Sequence, residues 1–102
     1  MRLTEAQVKA IQDNFFVSFM EGDKIWLFGS RVDDSKKGGD IDLYIETNYD
    51  DLFIVTKKEI EFVTNLKKII GDQKIDIVVN VLSQNQQFSI YDEAKNTGVQ
   101  LL

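Results

Sequence analysis

The sequence contains no cysteine, no histidine and no proline. Without cysteine there is no disulfide scaffold, no thiolate zinc ribbon and no thiol nucleophile. Without histidine, Ser-His-Asp triads, haem-His ligation and most zinc sites are excluded. Any metal here must be a hard ion held by oxygen. No apolar run approaches the roughly 20 residues that span a bilayer, and the start lacks the basic-then-apolar pattern of a secretion signal. The cytoplasm is therefore the expected compartment. With no proline, chain punctuation falls to six glycines and to helix caps.

What is present is an acidic, ordinary globular composition. Twelve Lys and Arg against seventeen Asp and Glu give a net charge of −5 over 102 residues. That sign disfavours autonomous binding to nucleic acid or to an anionic membrane, so a small or protein-borne substrate is expected. A hydrophobic fraction of 43% with 28% charged residues supports one packed core, and residues 1–102 read as a single domain.

Along the chain, Thr4-x-x-Gln7 reads as a capping box that opens a helix with Val8, Ile11, Phe15 and Phe19 on one stripe, ending near Glu21-Gly22. Lys24 to Phe28 is a short apolar run between turn signals, hence a buried strand. A polar connection from Arg31 to Gly39 leads into Asp40-Ile41-Asp42-Leu43-Tyr44-Ile45, whose alternation puts the apolar residues on one face and Asp40, Asp42 and Tyr44 on the other. Thr56-x-x-Glu59 reads as a second capping box, opening a helix with Ile60, Val63, Leu66, Ile69 and Ile70 as its stripe and Gly71 as its stop. Lys74 to Val81 reads as a third strand, and Ser83-x-x-Gln86 starts a last helix through Phe88 and Ala94 that Gly98 closes.

Asp40 and Asp42, two apart on a strand, project from the same side, where two carboxylates repel unless something positive lies between them. Mg²⁺ suits that position, because it takes oxygen ligands and shares them with substrate phosphates. Asp76 lies in the apolar run Ile75 to Val79, where a lone charge is costly unless it is paired, for example with Lys74, or bound to metal. If the two strands are neighbours, all three acids converge. Gly29-Ser30 directly after the first strand offers a close backbone approach and a hydroxyl, a plausible seat for an anion. It is neither a P-loop nor a dinucleotide fingerprint. An EF-hand fails as well, because aligning Glu46 as the last ligand puts Ser35 and Lys37 at the first and third positions.

These elements together resemble the DNA polymerase beta-type nucleotidyltransferase superfamily, and within it the minimal nucleotidyltransferase (MNT) branch. The resemblance rests on the strand Ile25 to Phe28, then Gly29-Ser30-Arg31, nine residues between Ser30 and Asp40, Gly39-Asp40-Ile41-Asp42-Leu43, and Ile75-Asp76-Ile77-Val78. It covers almost the whole chain. It implies an α/β (α+β) fold, a small mixed sheet backed by helices. It also implies that Asp40, Asp42 and Asp76 are catalytic and bind two Mg²⁺ ions, with Asp76 helping to deprotonate the acceptor. Gly29, Ser30 and Arg31 would hold the triphosphate of ATP, with Lys36 and Lys37 as helpers. Members of this branch pair with HEPN-domain toxins as antitoxins, and some transfer AMP to a tyrosine of the toxin. The expected activity is that adenylyl transfer, with stoichiometric neutralisation without catalysis, or transfer to a small molecule of the aminoglycoside type, as alternatives. Tyr49, Phe53 and Ile54 are candidates either for the partner surface or for the core.

Overall fold

The computed structural model describes residues 1–35 and 39–102. Lys36 and Lys37 lie outside the described residues. Among the described residues, three helices and four strands follow in the order α1 (Glu5–Ser18), β1 (Lys24–Phe28), β2 (Ile41–Thr47), α2 (Leu52–Ile70), β3 (Ile75–Val81), α3 (Ser89–Thr97) and β4 (Val99–Gln100). Single 3-10 turns at Gly29–Val32 and Leu82–Gln84 complete the order. Among the described residues no helix is long and apolar enough to cross a membrane.

The first helix begins as its sequence dictates. Thr4 Oγ1 accepts from the Gln7 amide at 3.1 Å and Gln7 Oε1 accepts from the Thr4 amide at 2.9 Å. It ends earlier than expected, at Ser18, because Phe19 leaves helical geometry to stack on Phe15 at 5.0 Å between ring centres and to meet Phe62 edge-on at 6.1 Å. Asp23 then closes the turn, accepting from the Met20 amide, from Thr47 Oγ1 and from both amide groups of Asn48.

The second helix corrects the reading of Thr56. Asp51 is the cap, its carboxylate accepting from the Phe53 and Ile54 amides, so the helix starts at Leu52. Thr56 sits one turn inside and donates back to the Leu52 carbonyl at 3.0 Å. The buried face also differs. Val55, Phe62 and Leu66 point inward, while Ile60 and Ile69 face solvent at 61% and 63% exposure. Phe62 decides this, since its ring packs edge-on against both Phe15 and Phe19. Gly71 ends the helix as expected, with φ of 93°.

The sheet order is β3-β2-β1-β4, with β1 antiparallel to β2 and β4, and β2 parallel to β3 across the α2 connection. One face carries Ile25, Leu27, Ile41, Leu43 and Ile45 into the main core with α1 and α2. The opposite face carries Trp26 and Tyr44, covered by Ala94 and Tyr91 of α3. The last helix starts later than its sequence reading. Leu82–Gln84 makes one 3-10 turn, stopped at Asn85 with φ of 53°, and α3 begins only at Ser89. Val99 joins β4 beside Leu27 instead of extending the helix. Of the aromatic candidates, Phe53 is 75% exposed, whereas Tyr49 packs on the core beside Phe19.

The two caps can be told apart by unfolding. Asp51→Ala should lower stability by about 1 kcal/mol, the usual loss for an N-cap acid. Thr56→Ala should leave it unchanged or raise it by up to about 0.6 kcal/mol, as Ala replaces a β-branched residue inside a helix. Urea midpoints of the two variants provide the comparison.

Candidate active site

The site is assembled where β1 ends and β2 and β3 begin. The register sets Phe28 opposite Asp42, and Asp42 opposite Asp76. The chain leaves β1 through Gly29 at φ of 77°, a conformation that L side chains rarely adopt, and a Cβ there would collide with Asp42 Oδ2. Glycine is thus required twice over, for its backbone and for the room it leaves an acid. Gly39, at φ of 93°, has the same relation to the next residue of the turn, since a Cβ on it would strike Ser30 Oγ.

Arg31 is turned into this loop. Its Nε donates to the Gly39 carbonyl at 3.2 Å, Nη1 to the Arg2 carbonyl at 3.1 Å and Nη2 to Gln73 Oε1 at 3.0 Å. Arg2 reciprocates, donating to the Ser30 carbonyl at 2.8 Å and the Asp33 carbonyl at 2.9 Å. Two guanidinium groups therefore hold the backbone carbonyls of Ser30, Asp33 and Gly39. Neither Arg2 nor Gln73 carries a local sequence signal, because the partner of each lies far along the chain.

Asp40, Asp42 and Asp76 share one end of the sheet face opposite the main core. Lys74 Nζ lies 3.4 Å from Asp40 Oδ2 and 3.9 Å from Asp76 Oδ2. Burial, then the charges of Asp76 and Asp40, push the Asp42 carboxyl above its ordinary pKa, with Lys74 opposing them. The Lys74 ammonium is held charged to higher pH by Asp40 and Asp76. Among the described residues no three His, Cys, Asp or Glu side chains close on a single ion position. The acids instead open around an ammonium.

The family described as polymerase beta, nucleotidyltransferase matches residues 11–102. The chain belongs to this family. Its fold is the small mixed α/β arrangement of these transferases, and its function is of the nucleotidyltransferase type. No curated protein matches the sequence. Members act on nucleotides with divalent metals. This donor set suits such an ion, being all oxygen, with two acids in register and an ammonium where positive charge is needed.

Further along the same face the nucleotidyltransferase sheet is packed by α3. Tyr44 donates to Glu46 Oε2 at 2.9 Å and accepts from Asn80 Nδ2 at 3.0 Å. Lys95 of α3 pairs with Glu46 at 3.1 Å and lies over the Trp26 ring at 5.4 Å. Burial raises the Tyr44 phenol well above its usual range, so it stays neutral and keeps donating. Although Tyr44 shares the acid face, it is a packing residue with its hydroxyl committed.

The pH dependence follows from the raised Asp42. Ionising a carboxyl whose folded pKa exceeds its unfolded value opposes folding; that cost is full above the raised pKa and gone below the ordinary carboxylate pKa. Asp42→Asn should therefore raise the melting temperature of the protein in EDTA by a few degrees at neutral pH. The gain should fade as pH drops through the carboxylate range, as read by calorimetry. Gly29→Ala should cost at least about 1 kcal/mol through its left-handed backbone alone.

Proposed function

We propose that this nucleotidyltransferase is an antitoxin that silences a HEPN-type toxin by transferring AMP from ATP to a tyrosine hydroxyl of that partner, with Mg²⁺ at the acid cluster. The observation that carries the reading is the parallel register of Asp42 with Asp76, with Gly29 folded against Asp42 to form one wall. Beside it Ser30 is held in the turn that leaves β1, its carbonyl accepting from Arg2 and its hydroxyl lying against Gly39.

Asp40 and Asp42 would hold Mg²⁺ together with the nucleotide phosphates, and Asp76 would share a second ion. Bound there, Mg²⁺ neutralises charge on the transferred phosphoryl group and makes the acceptor hydroxyl more acidic. Asp76 takes the hydroxyl proton, the tyrosine oxygen bonds to the α-phosphorus, and the bond from that phosphorus to the bridging oxygen breaks as pyrophosphate leaves. Ser30 orients the phosphates. Arg31, beside Ser30, would help to hold the triphosphate, and its bond to the Gly39 carbonyl also positions Asp40.

Exposed apolar side chains favour a protein acceptor. Phe16 and Phe53 are 76% and 75% exposed, an unusual burden for a lone small domain. A net charge of −5 also complements a ribonuclease, whose substrate groove must attract phosphates. The reading calls for the cytoplasm, where ATP is available. One observation favours stoichiometric neutralisation instead: Lys74 pairs with both Asp40 and Asp76, as a purely structural cluster would.

Co-expression with the product of the adjacent open reading frame tests both. Mass spectrometry of the co-purified partner should find added AMP on tyrosine. Asp76→Asn, which removes the proton acceptor and keeps the shape, should reduce the adduct by about 100-fold or more, the usual range for losing a general base. An unmodified partner that is still neutralised in cells would replace this reading by simple binding.

A further inference from the structure

We propose that Lys74 is the resident counter-ion of the acid cluster, and that a divalent cation loads the site by displacing its ammonium from Asp40 and Asp76. This rests on the metal-dependent reading above. Lys74 immediately precedes β3, and its carbonyl accepts from the Ile41 amide at 3.0 Å, so its backbone is tied beside the first acids of β2. From that fixed origin the Nζ atom reaches both Asp40 and Asp76. No other salt bridge reaches these three acids among the described residues.

The side chain is built to leave as well as to bind. It is 70% exposed, and an exposed ammonium on a flexible stem gives up such pairs cheaply. In the metal-free protein it screens the repulsion among Asp40, Asp42 and Asp76. Once a divalent ion supplies two charges at that position, the ammonium becomes the like-charged neighbour and swings into water. Lysine therefore sets how much free cation is needed to load the site. An arginine, with its planar fork on the carboxylates, would be harder to displace.

The test uses the full chain without nucleotide, titrated with Mn²⁺ while the EPR signal of free Mn²⁺ is followed. Lys74→Met should bind Mn²⁺ roughly 3- to 10-fold more tightly than wild type, the range set by losing two exposed ion pairs. Lys74→Arg should bind no more tightly than wild type, and the gap between Met and Lys should narrow as NaCl is raised. In EDTA, Lys74→Met should melt below wild type, and saturating Mn²⁺ should close that difference. Lys74→Gln serves as the second neutral variant. Equal or weaker Mn²⁺ binding by both neutral variants overturns the displacement role and leaves the metal-dependent reading standing. If no form of the protein takes up Mn²⁺, that reading fails along with it.

Discussion

Strand β2 is buried on both of its faces, and most of the molecule follows from the register this imposes. Ile41, Leu43 and Ile45 enter the core under α1 and α2, while Tyr44 fills the other side under α3. A slip of one residue would exchange these sets and drive Asp42 into the main core. Because β2 cannot slip, β1 must deliver Gly29 beside Asp42 and β3 must deliver Asp76 on the other side. The site is thus a product of the packing of β2, which carries Asp42, is entered from Asp40 and sets Asp76 alongside.

Ionised Asp42 opposes folding, and the surrounding structure has to offset it. Aromatic packing does so on both faces. Phe15, Phe19 and Phe62 interlock between the helices, and Trp26, Tyr44 and Tyr91 pack beneath α3. Rigidity comes from the loop braces, since Arg2 and Arg31 both spend donors on backbone carbonyls around Ser30 and Gly39. Positive charge near the acids is thereby divided between two duties. The arginines shape the wall, and among the described residues only Lys74 pairs with these carboxylates.

Elements that are locally determined were legible in the sequence. Lys24 to Phe28 lies between turn signals and forms β1 with those bounds; Thr4 and Gln7 cap each other as their spacing requires. The three acids were legible as a same-face pair and a lone charge in an apolar strand. Misreadings arose where a local motif met a tertiary competitor. Thr56-x-x-Glu59 has the capping spacing, yet Asp51 stands one turn earlier and the chain has already begun to coil. Ile60 and Ile69 look like core, but the bulk of Phe62 turns the helix away from them. The role of Arg31 depends on Arg2 and Gln73, partners that no short window contains.

The pairing of β1 with β4 bears on the order in which the chain folds. Trp26 meets Gln100, and Leu27 meets Val99, so the second edge of a central apolar strand waits for residues far along the chain from it. Contacts so distant in sequence form late and slow the search. The hairpin of β1 and β2 and the α2 crossover to β3 can therefore assemble first, while the outer edge of β1 stays open until β4 arrives. A partly folded chain in that state presents an unpaired strand, the kind of species that folding helpers bind.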